Sequence, residues 1–144
     1  MIPAQATVRD NVLFGRPLDR AKYAETLRRC ALEADMEALA DGDQTEIGEK
    51  GLTLSGGQKQ RVALARAYYA DADLYLLDDC LSAVDAHVAQ HLFDHLILHL
   101  RDVLKRTVVL VTHNLFLGRA GLPRRRRGYW DSWIVSHLPR RRRG

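Results

Sequence analysis

Cysteine is scarce in this chain of 144 residues: Cys30 and Cys80 stand far apart with no CxxC spacing, which excludes a zinc ribbon and a disulfide framework. Two lone thiols suit a reduced, cytosolic setting. Long apolar runs are also missing. The best, Leu74 to Leu77 and Val108 to Val111, fall far short of the ~20 residues that span a bilayer. The first residues, Met1-Ile2-Pro3-Ala4-Gln5, lack the basic segment and apolar core of a secretory signal, so secretion is not expected. What remains, 47% hydrophobic and 28% charged, fits one globular domain.

The net charge of +4 is unevenly placed. Residues 1–118 carry 13 Lys and Arg against 17 Asp and Glu, while residues 119–144 carry nine Arg against Asp131 alone. The tail repeats itself: Leu122-Pro123-Arg124-Arg125-Arg126-Arg127-Gly128 recurs as Leu138 to Gly144, with Trp130 and Trp133 between the copies. Arg blocks bounded by Pro and Gly repel one another and bury little apolar surface, so the expectation is a domain over 1–118 and an Arg-rich, disordered tail over 119–144. Its charge suffices for weak, salt-dependent attraction to polyanions, and a biological nucleic-acid role is not expected.

In the body, Asp19 reads as the N-cap of a helix through Tyr23, Leu27, Cys30, Ala31 and Ala34, followed by a turn at Asp41-Gly42-Asp43. Ser55 and Gln58 have the spacing of a capping box opening a helix to about Tyr69, whose Tyr68 and Tyr69 read as packing residues. Leu74 to Leu77 and Thr107 to Val111 read as buried strands. Between them Val88, Leu92, Leu96 and Leu100, with Phe93 and Ile97 alongside, mark an amphipathic helix over Ala86 to Leu100. Strand, helix, strand is a βαβ unit, and so an α/β fold.

Ligands of parallel sheets bind beyond the carboxyl ends of strands, where this chain carries Asp78, Asp79 and His113. An aspartate there can hold Mg²⁺, and a neighbouring carboxylate can polarise a water. Singly, each also reads as a solvated strand end. In Leu54-Ser55-Gly56-Gly57-Gln58-Lys59-Gln60-Arg61 two glycines occupy the first turn of a helix, where each costs ~1 kcal/mol relative to alanine. Without Cβ atoms, an anion can approach the free amides at the positive helix end, with the Ser55 hydroxyl as a further donor. The alternative is that the glycines permit close packing at the cap.

These residues resemble the ATP-binding cassette (ABC) proteins. Leu54, Ser55, Gly56, Gly57 and Gln58 are similar to the signature motif, Leu74 to Asp78 to the Walker B strand, Ser82-Ala83-Val84-Asp85 to the D-loop, and Thr112-His113 to the H-loop. Thr45 to Gly51 and Val8 to Gly15 resemble the C subfamily, the multidrug-resistance-associated transporters, particularly their first cassette. The resemblance covers about residues 2–118. It implies a P-loop NTPase fold with a helical signature subdomain, ATP and Mg²⁺ as ligands, and ATP hydrolysis coupled to efflux. It also implies a second nucleotide-binding domain and transmembrane domains as partners, at the cytoplasmic face of a membrane. By the same resemblance Asp78 holds the metal, Asp79 and His113 are catalytic, and the signature residues with Asp85 meet ATP held by the opposite cassette.

Three features depart from that pattern. No phosphate loop G-x-x-x-x-G-K-[ST] occurs, and Gly51 and Gly56 mimic its glycines only by coincidence, since Gly57-Gln58 stands where Lys and Ser or Thr are required. Asp79 stands where glutamate is usual, which shortens the reach and implies a slow site, and Cys80 replaces a common proline. After His113 the Arg-rich repeats begin. The expectation is a truncated cassette lacking the Walker A half and inactive by itself, cytoplasmic if it exists alone. Another reading is a non-catalytic chain that pairs with an intact cassette and modulates it.

His87, His91, His95 and His99 recur every four residues, a spacing that brings adjacent pairs within reach of one metal ion. Without a complementary carboxylate or Cys, they read instead as a flank of the buried Val88/Leu92/Leu96 stripe.

Overall fold

A computed structural model describes residues 6–48 and 53–112. In chain order the elements are β1 (Ala6–Thr7), α1 (Val8–Leu13), α2 (Arg20–Arg29), α3 (Glu33–Ala38), β2 (Glu46–Ile47), α4 (Gly56–Ala70), β3 (Leu74–Asp78), α5 (Ala86–Leu92) and β4 (Thr107–Val111). Strands β1 and β2 pair antiparallel, and β3 and β4 pair parallel, with Leu74 opposite Thr107 and Asp78 opposite Val111. The expected βαβ unit is therefore present. The proposed boundary near residue 118, the tail and His113 lie outside the described residues.

Among the described residues, the starts of four α-helices, all but that over Glu33–Ala38, follow side-chain caps. Asp19 accepts from Lys22 N at 3.1 Å, and Ser55 and Gln58 form the reciprocal capping box read from their spacing. A second such box, Thr7 with Asp10, opens α1; its T-x-x-D spacing carries the same signal. The single helix expected from Tyr23 to Ala34 is in fact two. α2 ends at Arg29, and Ala31 takes a positive φ of 51°, which turns the chain and delivers Leu32 fully into the core before α3 begins.

α5 continues as π-helical turns over Phe93–Ile97 and His99–Val103. The sequence explains why. Leu92, Leu96 and Leu100 repeat every four residues, whereas an α-turn holds 3.6, so a pure α-helix would roll this stripe away from the core. A π-turn closes i→i+5 bonds and holds more residues, which recentres it. Leu92, Phe93, Leu96, Ile97 and Leu100 are all buried to 1% exposure or less.

Among the described residues the strands are fully covered on one face only, a correction to the expectation that both are fully buried. Tyr75, Leu77, Val108 and Leu110 face the core, while Leu74 and Leu76 are 52% and 71% exposed. Among the described residues this sheet has two strands and one crossover helix, which cover a single face.

Tyr68 and Tyr69 pack in the core as expected, and Tyr69 also accepts from Asp19 N at 2.8 Å while donating to the Pro17 carbonyl at 2.7 Å. Both cysteines are free and buried. Burial pushes the Cys80 thiol up to about 11 and Cys30 higher still. Because the thiolate is the nucleophile, a maleimide at pH 8 labels the native chain slowly, faster as pH rises toward that value, and labels both cysteines at once in urea. Mass spectrometry reads this; rapid native labelling of Cys80 at pH 8 would show the turn after β3 to be open.

Candidate functional site

The first turn of α4 and the loop after β3 meet in one cleft of about 290 Å³, lined by Ser55, Gly56, Gly57, Arg61, Ala83, Val84, Asp85 and Val88. Two segments far apart in sequence thus share a wall. Ser55 and Gly56 are exposed, and Gly57 is half-buried. In the capping box the Ser55 Oγ accepts from Gln58 N at 3.2 Å, which uses a lone pair and leaves the hydroxyl hydrogen to donate. The early amides of α4 have no carbonyl within the helix to meet.

The two glycines have different reasons to be there. A Cβ on Gly57 would lie 2.8 Å from the Ala83 carbonyl oxygen and 3.4 Å from Val84 Cγ1, so this glycine lets the Ser82–Asp85 loop approach α4. The closeness it permits is to that loop rather than to the cap. A Cβ on Gly56 would make only an ordinary 3.8 Å contact with Ala83 Cβ. Steric need therefore explains Gly57 and leaves Gly56 open toward the cleft.

Two residues grouped with the signature have other duties. Leu54 is 5% exposed and belongs to the core, so its side chain packs rather than faces the cleft. Gln58 has both ends of its amide engaged: Oε1 accepts from Ser55 N at 2.9 Å and Nε2 donates to Asp35 Oδ1 at 2.9 Å.

Asp85 caps α5, accepting from Val88 N at 2.9 Å, and this backbone donor holds its carboxyl below the usual carboxylate range. At the tip of β3, Asp78 is exposed and Asp79 half-buried. Asp79 takes a positive φ of 44°, a conformation aspartate tolerates better than most residues. Its amide donates to the Val111 carbonyl at 2.7 Å, and Ser82 Oγ donates to its carbonyl at 2.9 Å. The backbone of the acidic tip is thus fixed.

Gln60, to which no motif gives a role, joins the two halves of the site. Its Nε2 donates to the Asp79 carbonyl at 3.1 Å, and its Oε1 accepts from Ala83 N at 3.2 Å. No local pattern marks it, because the contacts reach past β3 to the loop that follows it.

The donor set fits the expected ligands. Amide and hydroxyl hydrogens at Ser55 and Gly56 suit phosphate oxygens, and the exposed Asp78 carboxylate is a hard oxygen ligand of the kind Mg²⁺ takes. The histidine row does not form a comparable centre. His91 and His95 rings stand 4.5 Å apart, but His91 Nε2 donates to the Arg28 carbonyl at 3.0 Å and His99 Nε2 lies 3.9 Å from Glu25. The row flanks the buried stripe against α2. Among the described residues, no group of three or more metal-ligating side chains converges, and no helix is long and apolar enough to cross a membrane.

A family model described as ABC transporter matches residues 2–82. The chain belongs to the ABC transporter family. It is 58% identical over 119 residues to human ATP-binding cassette sub-family C member 3, covering 79% of this chain and 8% of that protein. It is 59% identical over 109 residues to Multidrug resistance protein mrp-7 of Caenorhabditis elegans, covering 76% of this chain and 7% of that protein. With ATP-binding cassette sub-family C member 2 of Rattus norvegicus the identity is 53% over 109 residues, again 76% and 7%. This ABC-family chain thus spans less than a tenth of the length of these relatives.

Proposed function

We propose that this chain is part of the ATP-binding cassette of a C-subfamily transporter, with the partial P-loop NTPase fold expected above, and that it presents the Ser55–Gly57 turn and Asp85 to ATP held by a second cassette. The observation that carries the proposal is the shared cleft: the signature turn and the Ser82–Asp85 loop form one wall, tied by Gln60 to the acidic tip of β3. On the chain's own side, Asp78 would hold Mg²⁺ and Asp79 would orient a water, and His113, next in sequence after Thr112, would take the catalytic part that the family resemblance implies. Bound Mg²⁺ supplies neutralisation of phosphate charge. Ser55 donates its hydroxyl hydrogen, and Gly56 exposes its amide, to an anion arriving from the partner. In the intact protein this chemistry drives transport by transmembrane domains at the cytoplasmic face of a membrane.

The 144 residues contain no phosphate-loop lysine. Alone, the chain is therefore expected to hydrolyse ATP at background rate. Mixed with an intact C-subfamily cassette, it is expected to raise hydrolysis, and Ser55→Ala to abolish that increase. Turnover by the chain alone at the rate of an intact cassette would overturn this reading. So would an effect that survives Ser55→Ala but needs the Arg blocks, which would mark an electrostatic adaptor instead.

A further inference from the structure

We propose that Asp35, which lies outside every motif, is a positioning residue that sets the direction of the phosphate-facing turn; its functional part rests on the reading of that turn given above. The turn cannot aim itself. Ser55, Gly56 and Gly57 bring one small side chain and two bare backbones, so their orientation is fixed by whatever grips them from outside.

On one side the grip is the Ala83 carbonyl and the Val84 side chain. On the other it is a single carboxylate. Asp35 Oδ1 accepts from Gln58 Nε2 at 2.9 Å and from Arg61 Nη2 at 3.1 Å, while Oδ2 accepts from Arg61 Nη1 at 2.7 Å. Gln58 passes the contact on by accepting from Ser55 N, and Arg61 does so by donating from Nε to the Gly57 carbonyl at 3.4 Å. Two relays therefore run from Asp35, one to Ser55 and one to Gly57. Arg61 also donates from Nη1 to the Ala31 carbonyl, which anchors the fork to the corner between α2 and α3.

The Asp35 and Arg61 side chains are each 14% exposed. A bidentate, charge-assisted pair so placed is directional, and water replaces it poorly. The helix that carries Asp35 has no fully buried residue; Met36 rests partly buried against the core, and the Asp35 carboxylate adds a directional hold under α4 that apolar contact does not give.

The test uses the full chain and a donor–acceptor exchange. Asp35→Asn turns one acceptor oxygen into an NH2 group and opposes the Gln58 donor. Gln58→Glu opposes the native carboxylate. Together they restore one hydrogen bond with its direction reversed. Hydrogen bonds to charged groups contribute about 1.5–3 kcal/mol. Amide exchange at Gln58 and Lys59 is therefore expected to accelerate about tenfold or more in each single variant, to return toward wild type in the double variant, and to stay unchanged across Leu92–Leu100. In the mixed assay with an intact cassette, Asp35→Asn is expected to raise the ATP concentration for half-maximal effect more than it lowers the maximal rate.

Unchanged exchange at Gln58 and Lys59 would overturn the proposal, as would equal acceleration throughout the core or a double variant no closer to wild type than the singles. If the wild-type chain leaves the intact cassette unaffected, the nucleotide reading falls and with it the functional part of this proposal. The exchange arm then still decides whether Asp35 sets the turn.

Discussion

Replacing Gly57 by alanine is expected to lower the stability of the full chain by about 1–2 kcal/mol, although alanine is the better helix former. The new Cβ would sit 2.8 Å from the Ala83 carbonyl oxygen, which is backbone and cannot swing aside as a side-chain tip would. Overpacking of this kind costs roughly 1–3 kcal/mol. The ~1 kcal/mol that the sequence alone assigns to each glycine belongs to a helix interior, so the opposing gain is smaller at this first turn. The clash wins. At Gly56 the same substitution meets only a 3.8 Å contact, so Gly56→Ala is expected to leave stability unchanged or slightly raised. Urea unfolding of the two variants side by side checks this. Equal behaviour would mean that the loop after β3 yields freely, and that its packing on α4 is not the reason for the second glycine. In the mixed ATP assay Gly57→Ala is also expected to be the more damaging, since it displaces Ala83 and Val84 from the cleft wall.

The largest loss of stability is expected from Phe93→Ala. Phe93 is fully buried where the α-helical part of the crossover gives way to its π-turns. Truncating a buried Phe costs about 3–5 kcal/mol, through lost transfer energy and the cavity left behind. Against a typical total of about 5–15 kcal/mol, that removes a large share of the chain's stability. His95→Ala, two residues on but exposed, is expected to change it by less than about 0.5 kcal/mol. A Phe93→Ala loss below 1 kcal/mol by urea unfolding would contradict the packing described for this helix.

Much of this was legible beforehand, and the failures share a cause. The β-branched run Thr107–Val111 and the compact Leu74–Leu77 announced a parallel pair, and Ser55 with Gln58 announced the start of α4, because those signals are local. The corner at Cys30–Ala31 was not legible. Alanine carries no mark of a left-handed conformation, and the apolar spacing runs straight through it. The exposure of Leu74 and Leu76 was equally hidden, since an unbroken apolar run does not say how many faces are covered. Ser55, Gly56, Gly57 and Asp85, which the motifs mark, line one cleft. Asp35, Gln60 and Arg61 were not singled out, because each acts through partners about twenty or more positions away that only the folded chain brings near.

The side-chain amide of Gln60 gives these parts a mechanical relation. One planar group grips the Asp79 carbonyl with its nitrogen and the Ala83 amide with its oxygen. Rotating α4 about its axis would therefore drag both ends of the intervening loop together, and the loop would travel as a small rigid crank rather than unfurl. Strain entering at the glycine end of α4 would emerge at the strand tip as a tilt, carried across by this one side chain.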